Sequence, residues 1–420
     1  MRLLNTHTLE LDSFVKAPPY AILSHTWEDD EVLFEDVQLG REHLAGCTKR
    51  GLAKIIDSCQ VAKDDGWDHI WIDTCCIDKA SSAELSEAIN SMFLWYAGAQ
   101  VCYVFLADCL DSAGSLARSN WPFKWCTRGW TLQELVAPYD VRFYNANWEL
   151  LGTRHTLAEA ISACTGIDKL ILRRHRDSCP RANSREKPIP RYAMCFECHT
   201  VNSSRRLLDS FSVATRMSWV SRRETTREED IAYCVLGIFN VNLPLLYGEG
   251  CLRAFSRLQD AIVNRSNDQS ILVWGSSPAP GSAQRFVGLC VQPTLATSPT
   301  SFRYPCEPVP ELSETYGMSI SGFDLVVDVL LGPGPGYDQW SLQAHFGPLW
   351  LAFLNCNGSR GVLSGRAIIL ARMSPDSLSF QRVSLGGFTV LEASVDGFVH
   401  GLQAGGKIDE TMTREWSITH

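Results

Sequence analysis

The sequence predicts an α/β fold over its N-terminal part, and three observations predict it. Short apolar runs recur there: "YAILSHTW" (20–27), "HIWID" (69–73), "VCYVFLAD" (101–108) and "VRFYNA" (141–146). The stretches between them carry apolar residues at helical spacing. The runs are apolar throughout rather than alternating, as in strands covered on both faces. Strands alternating with amphipathic helices imply a parallel sheet with helices on both sides and right-handed crossovers.

Taken in order, "RLLNTHTLEL" alternates around a polar break and predicts a β-hairpin at the start. The strand at 20–27 follows. Residues 49–64 place Leu52, Ile55, Ile56, Cys59 and Ala62 on one helical face, with Gly66 as the stop. After the strand at 69–73, Ser81 and Glu84 form a capping-box pattern. The helix they open has Leu85, Ile89, Met92, Phe93 and Tyr96 as its apolar face. The strand at 101–108 leads to a short helix in "RGWTLQELVAP" (128–138), ended by Pro138, and then to the strand at 141–146. "HTLAEAISACTGI" (155–167) is a further helix, with Thr156 and Glu159 as its box.

The character then changes. Residues 169–207 are rich in arginine and broken by Pro180, Pro188 and Pro190, which predicts a basic linker or insertion. Residues 208–275 resume helical spacing, with "REEDIAYCVLGIF" and "GEGCLRAFSRLQDAIVNRS" as helices. From 276 to 420, β-prone runs such as "LWLAFLNC" and "RAIILARM" alternate with Gly/Pro/Ser turns, the pattern of a β-rich domain. The expected organisation is therefore 1–168, 169–207, 208–275 and 276–420.

Composition narrows the function classes. A chain of 420 residues has material for two or three domains. A net charge of −9 speaks against a general nucleic-acid binder. No run approaches the roughly 18 apolar residues of a membrane helix, and the N-terminus lacks a signal-peptide core. The 16 cysteines then fit a reducing, cytoplasmic setting in which most are small buried hydrophobes, Cys59, Cys102 and Cys234 among them.

In a parallel sheet, ligands gather beyond the carboxyl ends of the strands. Ser24, His25 and Trp27 stand there after the first run, Asp73 and Thr74 after the second, and Asp108 after the third.

Three blocks, "YAILSHTWEDDEVLFEDV", "WIDTCCIDK" and "RGWTLQELVAP", occur in this order. Together they resemble the signature blocks of the fungal HET (heterokaryon incompatibility) domain, over about residues 18–160. "RETTREEDIAYCVLGIFNVNLPLLYGEG" (223–250) resembles the text that follows that domain. The resemblance implies a filamentous-fungal protein of non-self recognition and regulated cell death. A second resemblance concerns fold: "WTLQELV" and "AILSHTWEDD" are similar to stretches of TIR domains. That implies a TIR-like, flavodoxin-like sheet domain. It also places Trp130 and Glu134 at the tryptophan and catalytic-glutamate positions of NAD-cleaving members, with Thr131 where a cysteine is usual.

The chemistry is coherent. The nicotinamide–ribose bond has a cationic leaving group, so it needs a carboxylate near the developing oxocarbenium ion more than a strong acid. Glu134 is the candidate. Trp130, at i, i+4 from it, would form a wall for a flat ring. Arg128 would bind phosphate, and Ser24, His25, Trp27 and Asp73 would line the pocket. NAD enters as a substrate; no cofactor is expected. The plain structural reading stands beside this one: Glu134 pairing with Arg128, and Trp130 filling the core. A non-enzymatic module acting by self-association, or one switched on by a separate activating protein, is the alternative class.

Other constellations carry less. Cys75 and Cys76 with His25 lack an orienting third residue for a thiol nucleophile. Asp78 suits a structural role at a helix start. "CFECH" matches the c-type haem pattern, which is set aside without a secretory signal. Cys179, Cys195, Cys198 and His175 form an irregular zinc set or a coincidence, and no metal is expected.

Overall fold

The computed structural model describes residues 1–112, 123–173, 201–266, 268–272, 274, 289–291, 295–302, 307–308, 319–321, 324–326, 349–357, 364–372, 380–385 and 390–394. The chain divides into two compact units, Met1–Asp209 with Arg222–Leu246, and Ser210–Ser221 with Tyr247–His420. No helix among the described residues is long and apolar enough to cross a membrane. The zinc set falls at 175–198, outside the described residues.

The first unit is built on a mixed seven-stranded sheet. Its strands are β1 (Arg2–Asn5), β2 (Leu11–Ser13), β3 (Ala21–His25), β4 (His69–Trp71), β5 (Val101–Phe105), β6 (Val141–Tyr144) and β7 (Leu150–Thr153). They lie in the order β2, β1, β4, β3, β5, β6, β7. The four central strands are parallel, with Ile22 opposite Trp71 on one side and Cys102 on the other. All five residues of β3 and of β5 are buried, as strands covered on both faces require.

The expectation of a parallel sheet needs one correction. Both flanks are antiparallel: the hairpin docks by β1 against β4, and β7 folds back on β6. Neighbours joined by a short turn can only pair antiparallel, and the added strands cover edges the parallel core would otherwise leave open.

The helices follow the sequence with instructive shifts. Gly51–Asp64 buries Lys54, Ile55, Ser58, Cys59 and Ala62, while Ile56 stays exposed. The buried face is rotated from the apolar one because Lys54 has an internal partner, described below. Ser82–Gly98 buries Ala88, Ile89, Met92, Phe93 and Tyr96. Ser81 caps it, accepting from Glu84 N–H at 3.3 Å. The reciprocal arm of the box is spent elsewhere: the Glu84 carboxylate takes the Asp78 N–H at 2.9 Å and Arg2. The box expected at Thr156 is also not formed. Thr156 and Thr153 satisfy each other, and the helix Ala158–Thr165 starts from Leu157 without a side-chain cap.

Residues 222–246 complete this unit. The short helix Leu236–Phe239 lies on Ser82–Gly98 so closely that a Cβ on Gly237 would fall 2.1 Å from Phe93 Cβ. In the second unit, Ser212 caps the helix Val213–Ser218. Gln259, buried on the helix Cys251–Val263, exchanges two hydrogen bonds with the Ala296 backbone at 2.7 and 3.1 Å. Its described strands pair antiparallel around Ser364–Arg372, which contacts Leu349–Asn357, Phe380–Leu385 and Val390–Ser394.

Candidate functional site

Counting only the parallel strands, the chain runs from β3 outward to β4, then returns past β3 to β5 and β6. The order reverses between β3 and β5, and the carboxyl ends of such a pair form a ligand crevice. β3 ends there in Ser24 and His25.

Ser24 is fully buried and uses its hydroxyl twice. It donates to Glu134 Oε2 at 2.5 Å and accepts from Trp125 Nε1 at 2.8 Å. Glu134 sits on the helix Thr131–Val136, all six residues of which are buried. The loop before that helix is fastened from several directions. Thr131 Oγ1 lies 2.6 Å from the Trp125 carbonyl and 2.9 Å from that of Arg128. Arg223 Nη1 donates to the Arg128 carbonyl and to Thr131 Oγ1, both at 2.8 Å. The Gly129 N–H donates to the Glu224 carbonyl at 2.8 Å. Glycine is required at 129 because a Cβ would lie 2.6 Å from Thr225 Cγ2 and 3.0 Å from Cys234 Sγ.

Burial dominates the electrostatics of Glu134 and pushes its pKa up to about 8. The negative charge of Asp73 pushes the same way, while hydrogen bonds from Ser24 and Tyr96 and the charge of Arg128 pull against it. At neutral pH the carboxyl is therefore mostly protonated.

Asp73, the first residue of the helix Asp73–Cys76 after β4, has the opposite surroundings. Its two oxygens meet His25 Nε2 at 3.0 Å and Trp27 Nε1 at 2.8 Å. Burial opposes its ionisation, but His25, Lys79 and Trp27 outweigh it and hold the pKa down at about 2. His25 lies between two carboxylates, because its Nδ1 faces Glu31 Oε1 at 3.9 Å. Glu31 is fixed by Lys54 Nζ at 2.5 Å and by the Glu28 N–H at 2.9 Å. This pair is what turns the Gly51–Asp64 helix. Gly51 lets that helix close on Glu31, since a Cβ there would lie 2.9 Å from Glu31 Cα.

Of the residues singled out from sequence, Ser24 and Glu134 are in direct contact, and His25, Trp27 and Asp73 form a second connected group. Trp130 is placed differently. Its indole N–H donates to Asp230 at 3.2 Å, and the tryptophan that reaches the Ser24–Glu134 pair is Trp125. Arg128 is half-buried and joins the fastening through its carbonyl. Asp78 is structural, its carboxylate accepting the Ala80 N–H at 3.0 Å. Cys75 and Cys76 are buried, and the Cys75 thiol is pushed far up by its Cys76 neighbour and by burial, which disfavours a thiolate nucleophile. Sequence reasoning missed Trp125, Tyr96, Glu31, Lys54 and Lys79. "HTWEDDE" held a signal for Glu31, an acid six positions after His25. Among the described residues, no cluster of His, Cys, Asp and Glu could hold a metal ion.

Comparison with known proteins agrees with the first two of the three blocks in the sequence. Residues 20–124 match the family model described as heterokaryon incompatibility protein (HET). That span holds Ser24, His25, Trp27 and Asp73 and stops short of Glu134. Vegetative incompatibility protein HET-E-1 of Podospora anserina is 42% identical over 255 residues, which is 59% of this chain. The chain spans only 16% of that relative's length. No solved structure gives a significant match. Residues 20–124 thus match a HET domain, and the chain is similar over part of its length to a fungal vegetative incompatibility protein.

Proposed function

We propose that this chain acts in fungal non-self recognition as a cytoplasmic effector of regulated cell death. Its HET domain cleaves the nicotinamide–ribose bond of NAD or a related nucleotide, with Glu134 as the catalytic carboxylate. The observation that carries this reading is the buried Glu134 carboxyl, pKa about 8, held by Ser24 at the end of β3. The central strand order supports a flavodoxin-like, TIR-like architecture, in which the β3/β5 reversal is the place for a nucleotide.

The chemistry follows from the charges. A ligand bringing a cationic nicotinamide ring beside Glu134 favours its ionised form, so binding releases a proton. The carboxylate then faces the ribose carbon as the C–N bond breaks and the bonding pair leaves with nicotinamide. Water adds to that carbon and gives up a proton, leaving the ADP-ribose portion. Ser24 keeps the carboxylate in line. Asp73, ionised and tied to His25 and Trp27, accepts ribose hydroxyls, and Arg128 binds phosphate. Trp125, whose indole N–H donates to Ser24, positions the serine, a different role from the ring wall that the sequence suggested for Trp130.

Incubation of purified protein with NAD, following free nicotinamide, tests the proposal. Release by wild type and its loss in Glu134→Ala and Glu134→Gln are expected. Release that survives both substitutions removes Glu134 from the mechanism. An oligomeric wild type that releases none leaves the non-enzymatic, self-associating module as the function.

A further inference from the structure

Lys79 acts on Asp73 through its charge but has no contact with substrate assigned so far; it lies in the turn between the helices Asp73–Cys76 and Ser82–Gly98. That turn is pinned through Asp78, whose carboxylate takes the Ala80 N–H and whose own N–H goes to Glu84. The Lys79 ammonium rests over the Trp27 ring, 3.4 Å from its centroid. The nitrogen is buried and makes no hydrogen bond. A lysine ordinarily keeps its head in water. A cation–π contact of about 0.5–2 kcal/mol does not replace three N–H donors withdrawn from solvent. Burial accordingly pushes the Lys79 pKa down, against the pull of Asp73.

The surface beneath it is fixed. Trp27 is held by its indole N–H on Asp73, yet 45% of the residue is exposed. An oriented aromatic face thus lies under a cation with unspent donors. His25 Nδ1, on the other side of Asp73, is also buried without a hydrogen-bond partner.

We propose that Lys79 is a displaceable cover on Trp27: the planar ring of a nucleotide takes the indole face, and the released ammonium binds the nucleotide's phosphate oxygens. The inference rests on the nucleotide reading above and adds a residue and a division of labour to it. Base stacking on an aromatic ring is a general mode of nucleotide binding, and a lysine supplies the point charge phosphate requires. Trading a contact with a ring for contacts with oxyanions satisfies donors that the resting state leaves idle.

Calorimetric titration of the full chain with ADP and, separately, with adenosine tests it. The expected result is that Lys79→Met weakens ADP at least tenfold and adenosine not at all, since the cover is gone. Lys79→Arg should retain ADP, and Trp27→Ala should weaken both ligands. Equal affinities of wild type and Lys79→Met for ADP, equal losses for both ligands, or no ADP binding by wild type would each overturn the proposal. Nicotinamide release, measured in parallel, separates the two readings. Release with Lys79-independent ADP binding sinks the cover and keeps the catalytic glutamate. Lys79-dependent binding without release does the reverse.

Discussion

Two carboxyl groups at one end of the sheet show how far surroundings decide chemistry. Glu134 sits among buried groups with a neutral hydroxyl as its close partner, and its pKa rises to about 8. Asp73 bridges an imidazole and an indole N–H near an ammonium, and its pKa falls to about 2. Asp73 also acts on Glu134, because its negative charge helps keep Glu134 protonated. Pairs of titratable groups driven apart in this way mark sites where protonation states have been assigned separate tasks.

The largest effect that could break this comparison is on stability against pH. The folded pKa of Glu134 lies above the unfolded value, so the folded state holds the extra proton between about pH 4.5 and 8. Stability contributed by that proton is full below about pH 4.5 and is lost as pH rises toward 8. Glu134→Gln removes the slope. Urea unfolding across this range should show the variant gaining on wild type by roughly 5 kcal/mol at the alkaline end, at about 1.4 kcal/mol per pKa unit. A parallel pair of curves would refute the raised pKa.

Next comes activity: on the proposed chemistry, Glu134→Ala should lower nicotinamide release by about 10²–10³-fold. Asp73 gives the mirror-image test. Its depressed pKa contributes stability above about pH 3.8 that is lost as pH falls toward 2. Asp73→Asn should flatten the acid limb of the stability curve by roughly 2 kcal/mol. The smallest effect is expected of Ser24→Ala, about 1–2 kcal/mol in urea unfolding, for a Trp125 N–H left without its acceptor. The same variant should move the Glu134 titration, followed by NMR of the carboxyl carbon, further upward.

How much of this was legible in the sequence depended on range. The central strands were visible because fully buried strands are short and apolar throughout, and Ser24, His25 and Asp73 were visible as polar residues ending them. Of the flanking strands, the hairpin β1–β2 was legible as alternation around a polar break, but β7 is four residues long and starts with an exposed leucine, so no pattern announces it. The Gly51–Asp64 helix misled because a buried ion pair overrode apolar periodicity, setting Lys54 inward and Ile56 outward. Trp125 was missed for a related reason. It lies just ahead of the quoted block, and only the fold brings its indole to a serine 101 positions earlier. Trp130 was legible as a landmark, but its partner Asp230 lies 100 positions later.

The clasp on the glutamate-bearing loop has a consequence for how the molecule is made. Arg223 and Glu224 reach back to Arg128 and Gly129, the two arginines standing 95 positions apart. A growing polypeptide can form the central sheet early, yet it cannot lock this loop until the later stretch has emerged and closed a long excursion, a slow step in assembly. A fragment ended at residue 124, where the family match stops, lacks both the loop and its fastener. Any minimal piece that preserves the geometry around residue 134 has to extend to about residue 246.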